Sequence, residues 1–265
     1  MMEKEIRQYD SKELWSRLSL SGSNRERVEK TAEMIPSDVD SLADIGCGSG
    51  LFLNHIKKNQ RVSSLVGVDF SENAMLTLTT SKKVGNITKI PLESNSYDMI
   101  SALEVLEHLD LDEYSKAKEE LARVSKKYIL ISVPFDEDLE LEFVQCPYCR
   151  SRFNRSHHKR SFTTEDVEKL LEEQGYESVS IEYISKRNLY LLMTPLLNMF
   201  KKLREKKELG NSVCPVCGYQ ARVSQKSKSF DNGKKKSSSP LPFLKSIWPK
   251  RYTYKWIACL YRKIN

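Results

Sequence analysis

The chain has 265 residues, 39% of them hydrophobic, which is enough to bury a full core. Its start, MMEKEIRQYDSKELW, has no apolar h-region, and its longest greasy run, LYLLMTPLLNMF, is broken by Pro195 and too short to span a bilayer, so a soluble, cytoplasmic protein is expected. The net charge of +7 is uneven: residues 186–265 carry 19 Lys and Arg against 3 acids and the first 185 carry 24 against 33, which directs any anionic partner to the C-terminal part.

Residues 1–40 read as a helical cap, with Val28, Ala32 and Ile35 at helical spacing and Pro36 ending the run. SLADIG is a short apolar strand running into glycines, and LFLNHIKK begins a helix directly after them. SSLVGVDF gives a second buried strand ending at Asp69, followed by a predicted helix, SENAMLTLTTSKK, with Ser71 as N-cap. VGNITKI reads as a weak third strand, SYDMISAL as a fourth, LDEYSKAKEELARVS as an amphipathic helix and KKYILISVPF as a central fifth strand. TTEDVEKLLEEQGY carries a Thr cap, acids in its first turn and Gly175 as its stop. ESVSIEYI is a sixth strand and YTYKWIACLYRK a seventh.

This alternation predicts an α/β fold: a Rossmann-like, mostly parallel seven-stranded sheet with helices on both faces. The core falls at 41–185, a basic insertion at 186–251 and the final strand at 252–265. The insertion holds a helical run from Asn188 to Glu208 and the low-complexity stretch SQKSKSFDNGKKKSSSP, which buries too little apolar surface to order itself.

Glycines after a first strand let a ligand approach the backbone and leave helix N–H groups pointing at it. In Asp44-Ile45-Gly46-Cys47-Gly48-Ser49-Gly50 the carboxylate at the mouth of the loop repels a pyrophosphate and attracts a cationic group, which argues against a dinucleotide. Asp69 ends the second strand where an acid reaches a ribose diol. A nucleoside with a positively charged tail fits both acids.

The stretches LADIGCGSG, LVGVDFS, GNITKIPLESNSYDMISALEVLEHL and KRSFTTEDVEKLLEEQGY together resemble a class I S-adenosylmethionine-dependent methyltransferase, of the branch that modifies small molecules, sugars and lipids. The resemblance covers roughly residues 41–184. It implies that Asp44, Gly46, Cys47, Gly48 and Gly50 form the loop that holds the methionine part and the ribose. Asp69 then takes the ribose hydroxyls and Phe70 lies against the adenine. Asn86 and Ile87 stand where the family often has an acid and an apolar residue at the adenine, so the Asn carbonyl replaces the acid there. Leu103 and Glu104 stand where the chain passes the carboxypropyl group.

A sulfonium methyl is already activated, so the protein must chiefly align donor and nucleophile in line and exclude water. A hydroxyl acceptor also needs a base. His55, in the helix after the glycine loop, reads as structural. His108 closes EVLEHL on the rim of the sheet, and His157 and His158 precede KRSFTTED, leaving these three as the candidates for a base or an orienting contact.

CPYC (Cys146, Cys149) and CPVCG (Cys214, Cys217) are each a turn that folds two thiolates toward one metal, and together they complete a structural tetrahedral zinc site. Two competing readings exist: Cys146 and Cys149 recruit His157 or His158 instead, or a pair serves as a redox dithiol. Arg150 replaces the glycine that Gly218 supplies in the second knuckle.

The acceptor expected from the resemblance is a small molecule, glycan or lipid-linked molecule, most simply O-methylated. The basic, aromatic-bearing insertion matches a peripheral contact with an anionic inner-membrane surface, while RNA or protein recognition by the same arm, or a non-catalytic zinc-stabilised adaptor, stand as alternatives.

Overall fold

The computed structural model describes residues 22–59, 62–190, 212–220 and 250–264. Its first half runs α1 (Gly22–Glu33), β1 (Ser41–Ile45), α2 (Leu51–Asn59), β2 (Ser64–Asp69), β3 (Ser81–Val84), β4 (Tyr97–Leu103) and α3 (Leu111–Val124). The second half runs β5 (Ser125–Pro134), β6 (Phe143–Gln145), β7 (Arg152–Asn154), α4 (Thr164–Glu168), β8 (Tyr176–Tyr190) and β9 (Lys250–Lys263). Seven strands form one sheet in the order β3-β2-β1-β4-β5-β9-β8, and β6 and β7 pair as a separate hairpin. The first five are parallel; β9 runs antiparallel to both β5 and β8. The mostly parallel, Rossmann-like sheet expected from the sequence is therefore what forms.

Period-two alternation sorts the strands between two cores. Ala43, Ile45, Val66, Val68, Ile129 and Ile131 face Leu121 and Val124 of α3 and Val167 of α4. Leu42, Met99, Leu130 and Leu260 face Val28 and Ala32 of α1 and Phe52 and Ile56 of α2. With both faces covered, the inner strands read as continuous apolar runs rather than alternating ones.

The edges depart from the sequence expectations. The third strand is Ser81–Val84, earlier than VGNITKI, and all four of its residues are exposed. An edge strand of the sheet needs little apolar content, so its signal is weak. The helix expected after Ser71 shrinks to a single 3-10 turn, Ala74–Thr77, although Ser71 Oγ does accept from the Ala74 N–H at 3.1 Å. The threonines explain the shortening: Thr77 donates to the Ser49 carbonyl at 2.8 Å and Thr79 to Asn54 Oδ1 at 2.7 Å, tying the segment to the glycine loop and α2 instead of a helical ladder.

The capping box at Thr163 and Asp166 forms as expected, but its helix ends at Glu168, and a short 3-10 turn leads to Gly175 at φ +78°. The sixth strand continues to Tyr190, so residues 188–190, expected to open a helix, are extended. The rest of that helical run, the first 21 residues of the expected cap and most of the basic insertion lie outside the described residues. Among the described residues, no helix is long and apolar enough to cross a membrane.

Candidate functional site

In this strand order the chain leaves β1 toward one edge and β4 toward the other, which opens a crevice at their carboxyl ends. Both candidate segments, 44–50 and 103–108, fall there. Gly46 takes φ +75°, and a Cβ at that position would lie 2.5 Å from Val105 Cγ2. Only glycine lets the loop press so closely on the segment after β4. The Gly46 and Cys47 N–H groups both donate to the Val68 carbonyl, which fixes the turn beneath β2.

Asp44 is buried and accepts from Ser101 Oγ at 2.7 Å; burial pushes its carboxyl up to about 7. Asp69 is also buried. One of its oxygens accepts from the Gly48 N–H and the other from the Ser71 N–H, each at 2.9 Å, and the Phe70 N–H bonds the same carboxylate, so Asp69 ties the glycine loop to β2. Burial raises the carboxyl of Asp69 as well. Gly48 and Gly50 also take positive φ. The Cys47 side chain turns into the core against Gly67, and burial pushes its thiol far up, so only its backbone faces the loop.

Phe70 is half-buried beside Asp69. Ile87 packs in the core. Asn86 is exposed, and its Oδ1 already accepts from the Thr88 N–H at 2.9 Å and the Thr88 hydroxyl at 3.0 Å. Leu103 belongs to the α1–α2 side of the core. Glu104 takes φ +62°, and its carboxylate accepts from Ser132 Oγ and Trp256 Nε1.

Beyond Glu104 the rim carries a dense cluster of ionisable groups. Glu107 is fully buried, neither carboxylate oxygen has a hydrogen-bond donor among the described residues, and its Oε1 stands 3.8 Å from His108 Nε2. Burial and the neighbouring Glu104 raise Glu107 well above the usual carboxyl range, while burial and His158 push His108 down to about 3. The rings of His108 and His158 meet edge to face at 4.9 Å between centroids. His108 Nδ1 faces the His157 carbonyl at 3.4 Å, and His158 Nδ1 hydrogen-bonds Glu137. One ligand atom each from Glu107, His108 and His158 lies within 4.8 Å of the others. His157 itself is buried at φ +60°, edge-on to Phe153. His55 sits apart on α2, bonded to Asn59.

The four cysteines converge although 64 residues separate the knuckles. Cys146 and Cys217 sulfurs are 3.6 Å apart, as are those of Cys149 and Cys214, and all four lie within 4.8 Å of one another. A tetrahedron with metal–sulfur bonds of about 2.3 Å sets its sulfurs about 3.8 Å apart, so the geometry fits a closed four-thiolate site. It does not fit the alternative in which His157 or His158 completes the first pair. The knuckles are equivalent in detail. Arg150 N–H donates to the Cys146 carbonyl at 3.0 Å and Gly218 N–H to that of Cys214 at 2.9 Å, while the N–H of each leading cysteine bonds the residue five positions on. Arg150, at φ +66°, adopts the left-handed conformation that Gly218 takes at +74°.

Several residues of this rim escape sequence reading. Arg27 of α1 acts electrostatically on Asp44, Glu104 and Glu107, and its guanidinium lies 5.3 Å from the Trp256 ring centroid. Ser101, Ser132 and Glu137 are further partners without any sequence signal. Glu107 had one: two acids and a histidine within five residues directly after an apolar strand.

The methyltransferase-domain family matches residues 7–181. An uncharacterized protein of Methanocaldococcus jannaschii is 34% identical over 100 residues, which are 37% of this chain and 41% of that protein, so the chain spans about two fifths of that relative's length. Among solved structures, a Bacillus halodurans C-125 protein whose methyltransferase assignment is itself provisional superposes with a TM-score of 0.54 at 14% identity, covering 92% of this chain and all of that one. A SAM-dependent methyltransferase of Archaeoglobus fulgidus gives 0.50 at 16% identity, covering 98% and 97%. At these identities the structures speak for the fold.

Proposed function

This chain belongs to the methyltransferase-domain family, and we propose that it moves the methyl group of S-adenosylmethionine to a hydroxyl of a small-molecule, sugar or lipid-linked acceptor. The enzyme is a class I S-adenosylmethionine-dependent methyltransferase, and we assign its residues their parts in that reaction by their places around the crevice. The observation that carries the reading is the contact between Gly46 and Val105, which sets the glycine loop directly against the Glu104–His108 rim. Cofactor and acceptor chemistry thereby share one crevice.

Asp44 and the glycine loop hold the methionine end, with the Asp44 carboxylate facing the cofactor's ammonium group. Asp69, at the end of β2, accepts from the ribose hydroxyls, and Phe70 and Ile87 flank the adenine. Asn86 offers its amide at the adenine edge. Leu103 and Glu104 line the carboxypropyl path, with Arg27 as the nearby cation for its carboxylate. The acceptor hydroxyl lies toward His108 and His158. His157, edge-on to Phe153, orients the loop that carries them. In the transfer the oxygen lone pair forms the O–CH3 bond, the C–S bond breaks, and the hydroxyl proton leaves to the rim or to solvent, so S-adenosylhomocysteine departs neutral at sulfur.

Cys146, Cys149, Cys214 and Cys217 hold a structural zinc ion: four thiolates at tetrahedral spacing leave no open position for a substrate. The +16 balance of residues 186–265 supports contact with an anionic surface near a lipid-linked acceptor.

The test is to incubate the protein with methyl-labelled S-adenosylmethionine and a host-cell extract, then partition the label. Label in the lipid or soluble-glycan fraction is expected. Label released from RNA by nuclease would overturn the acceptor class and make the basic arm a nucleic-acid reader.

A further inference from the structure

We infer that Glu107, His108 and His158 form a second metal site, a divalent-cation site on the acceptor side of the crevice, separate from the four-cysteine cluster. The inference deepens the O-methylation reading and rests on it for the role of the cation, though not for the cation's existence.

Three observations converge. First, Glu107 is a fully buried carboxylate whose two oxygens have no hydrogen-bond donor among the described residues. A buried anion without donors is costly unless a cation or metal satisfies it. Secondly, the three side chains bring one ligand atom each within 4.8 Å of the others, close enough for a single ion to bridge them. Thirdly, each histidine uses its Nδ1 elsewhere, His108 toward the His157 carbonyl and His158 on Glu137. That is how metal-binding imidazoles are oriented: one ring nitrogen donates to a carbonyl or carboxylate and the other is the one turned to the ion. The 3.8 Å between His108 Nε2 and Glu107 Oε1 suits two ligands on one cation.

Two imidazoles and one carboxylate are the donor set of a first-row divalent ion with open positions, unlike the closed thiolate cluster. The segment that carries Glu107 and His108 is the one that Gly46 touches through Val105, which sets the cluster beside the glycine loop. A cation there would take the acceptor's oxygen, favour loss of its proton to solvent and hold the resulting lone pair toward the sulfonium methyl. The acceptor class it selects is one with a hydroxyl, or two neighbouring hydroxyls, as hard oxygen ligands. Glu137 is then a positioning residue that acts through His158.

The test uses the full chain with its thiolate cluster zinc-loaded and Mn2+ as the probe, because this hard ion is poorly held by thiolates. Bound Mn2+ is counted by electron paramagnetic resonance without cofactor. One ion per wild-type chain is expected, with affinity reduced at least about 10-fold in Glu107→Gln and in His158→Gln, and about 10-fold in Glu137→Gln. Circular dichroism reports whether each variant folds, and a Mn2+-dependent rise in melting temperature of the wild type gives a reading independent of the variants. No stoichiometric Mn2+ on the wild type at millimolar concentration overturns the site, as does equal binding by folded variants. Stoichiometric Mn2+ together with labelled product on nitrogen or carbon would uphold the site and overturn O-methylation instead.

Discussion

Asp44 is where the residue scale sets behaviour. Burial lifts its carboxyl to about 7, whereas in the unfolded chain it titrates near an ordinary value of about 4. Between those limits the folded, cofactor-free protein binds the extra proton, so its stability falls as pH rises through that window. The ammonium group that we propose faces Asp44 prefers the ionised acid, so affinity for S-adenosylhomocysteine is expected to rise with pH up to about 7, with net proton release on binding below it. Calorimetry in two buffers of different ionisation enthalpy measures that proton, and Asp44→Asn should abolish its release and flatten the pH dependence. Gly46→Ala meets both a left-handed backbone and Val105, and is expected to destabilise by roughly 1–3 kcal/mol in thermal melts and weaken cofactor binding. The converse holds at Arg150: its left-handed φ predicts that Arg150→Gly stabilises the zinc-loaded protein by about 1 kcal/mol. The places of Asp44 and the glycines were legible because they lie within one strand-to-helix turn, and that of Asp69 because it ends the next apolar strand. The meeting of Glu107 with His158 was not, since fifty residues lie between them and only the tertiary fold closes the gap.

Among the elements, the β6–β7 hairpin links the two halves of the rim. It carries the first cysteine knuckle between its strands, and β7 ends at Asn154, whose side chain accepts from the Ser156 N–H at 2.9 Å and donates to the Leu139 carbonyl at 3.1 Å. That turn leads straight into His157 and His158. The second knuckle is fastened to the same place, because the Ser212 hydroxyl donates to the Arg155 carbonyl. Removing zinc, or substituting Cys149→Ser, is therefore expected to lower turnover by about 10-fold or more through loss of His158 placement. S-adenosylhomocysteine affinity, read by calorimetry on the same sample, should stay nearly constant, since the glycine loop is held by bonds to Val68, Asp69 and Thr77. A parallel fall in both would place the cluster in global folding instead. At this scale the sequence was legible wherever an element is buried on both faces, and misleading where side chains bond sideways: in the stretch after Ser71 that reads as a helix, Thr77 bonds the glycine loop and Thr79 bonds α2.

Across the whole molecule, the alternation of strands and helices announced the sheet, while the extent of β8 and β9 stayed hidden because basic and polar residues dominate their outer ends. Tyr190 pairs directly with Lys250, so the two strands form one long antiparallel ladder, and the chain leaves the sheet and returns at neighbouring positions. Replacing residues 191–249 by a short turn is expected to keep the fold and cofactor binding, because closing a shorter loop costs less chain entropy. It should abolish zinc stoichiometry, which atomic absorption reads directly, and with it turnover. Loss of S-adenosylhomocysteine binding in a folded deletion would show that the insertion reaches into the cofactor crevice. The same ladder makes the segment between β8 and β9 separable from the sheet: a stretch whose two ends meet across a single strand pair can be exchanged between proteins, or lengthened over generations, as a cassette that leaves the strand order untouched.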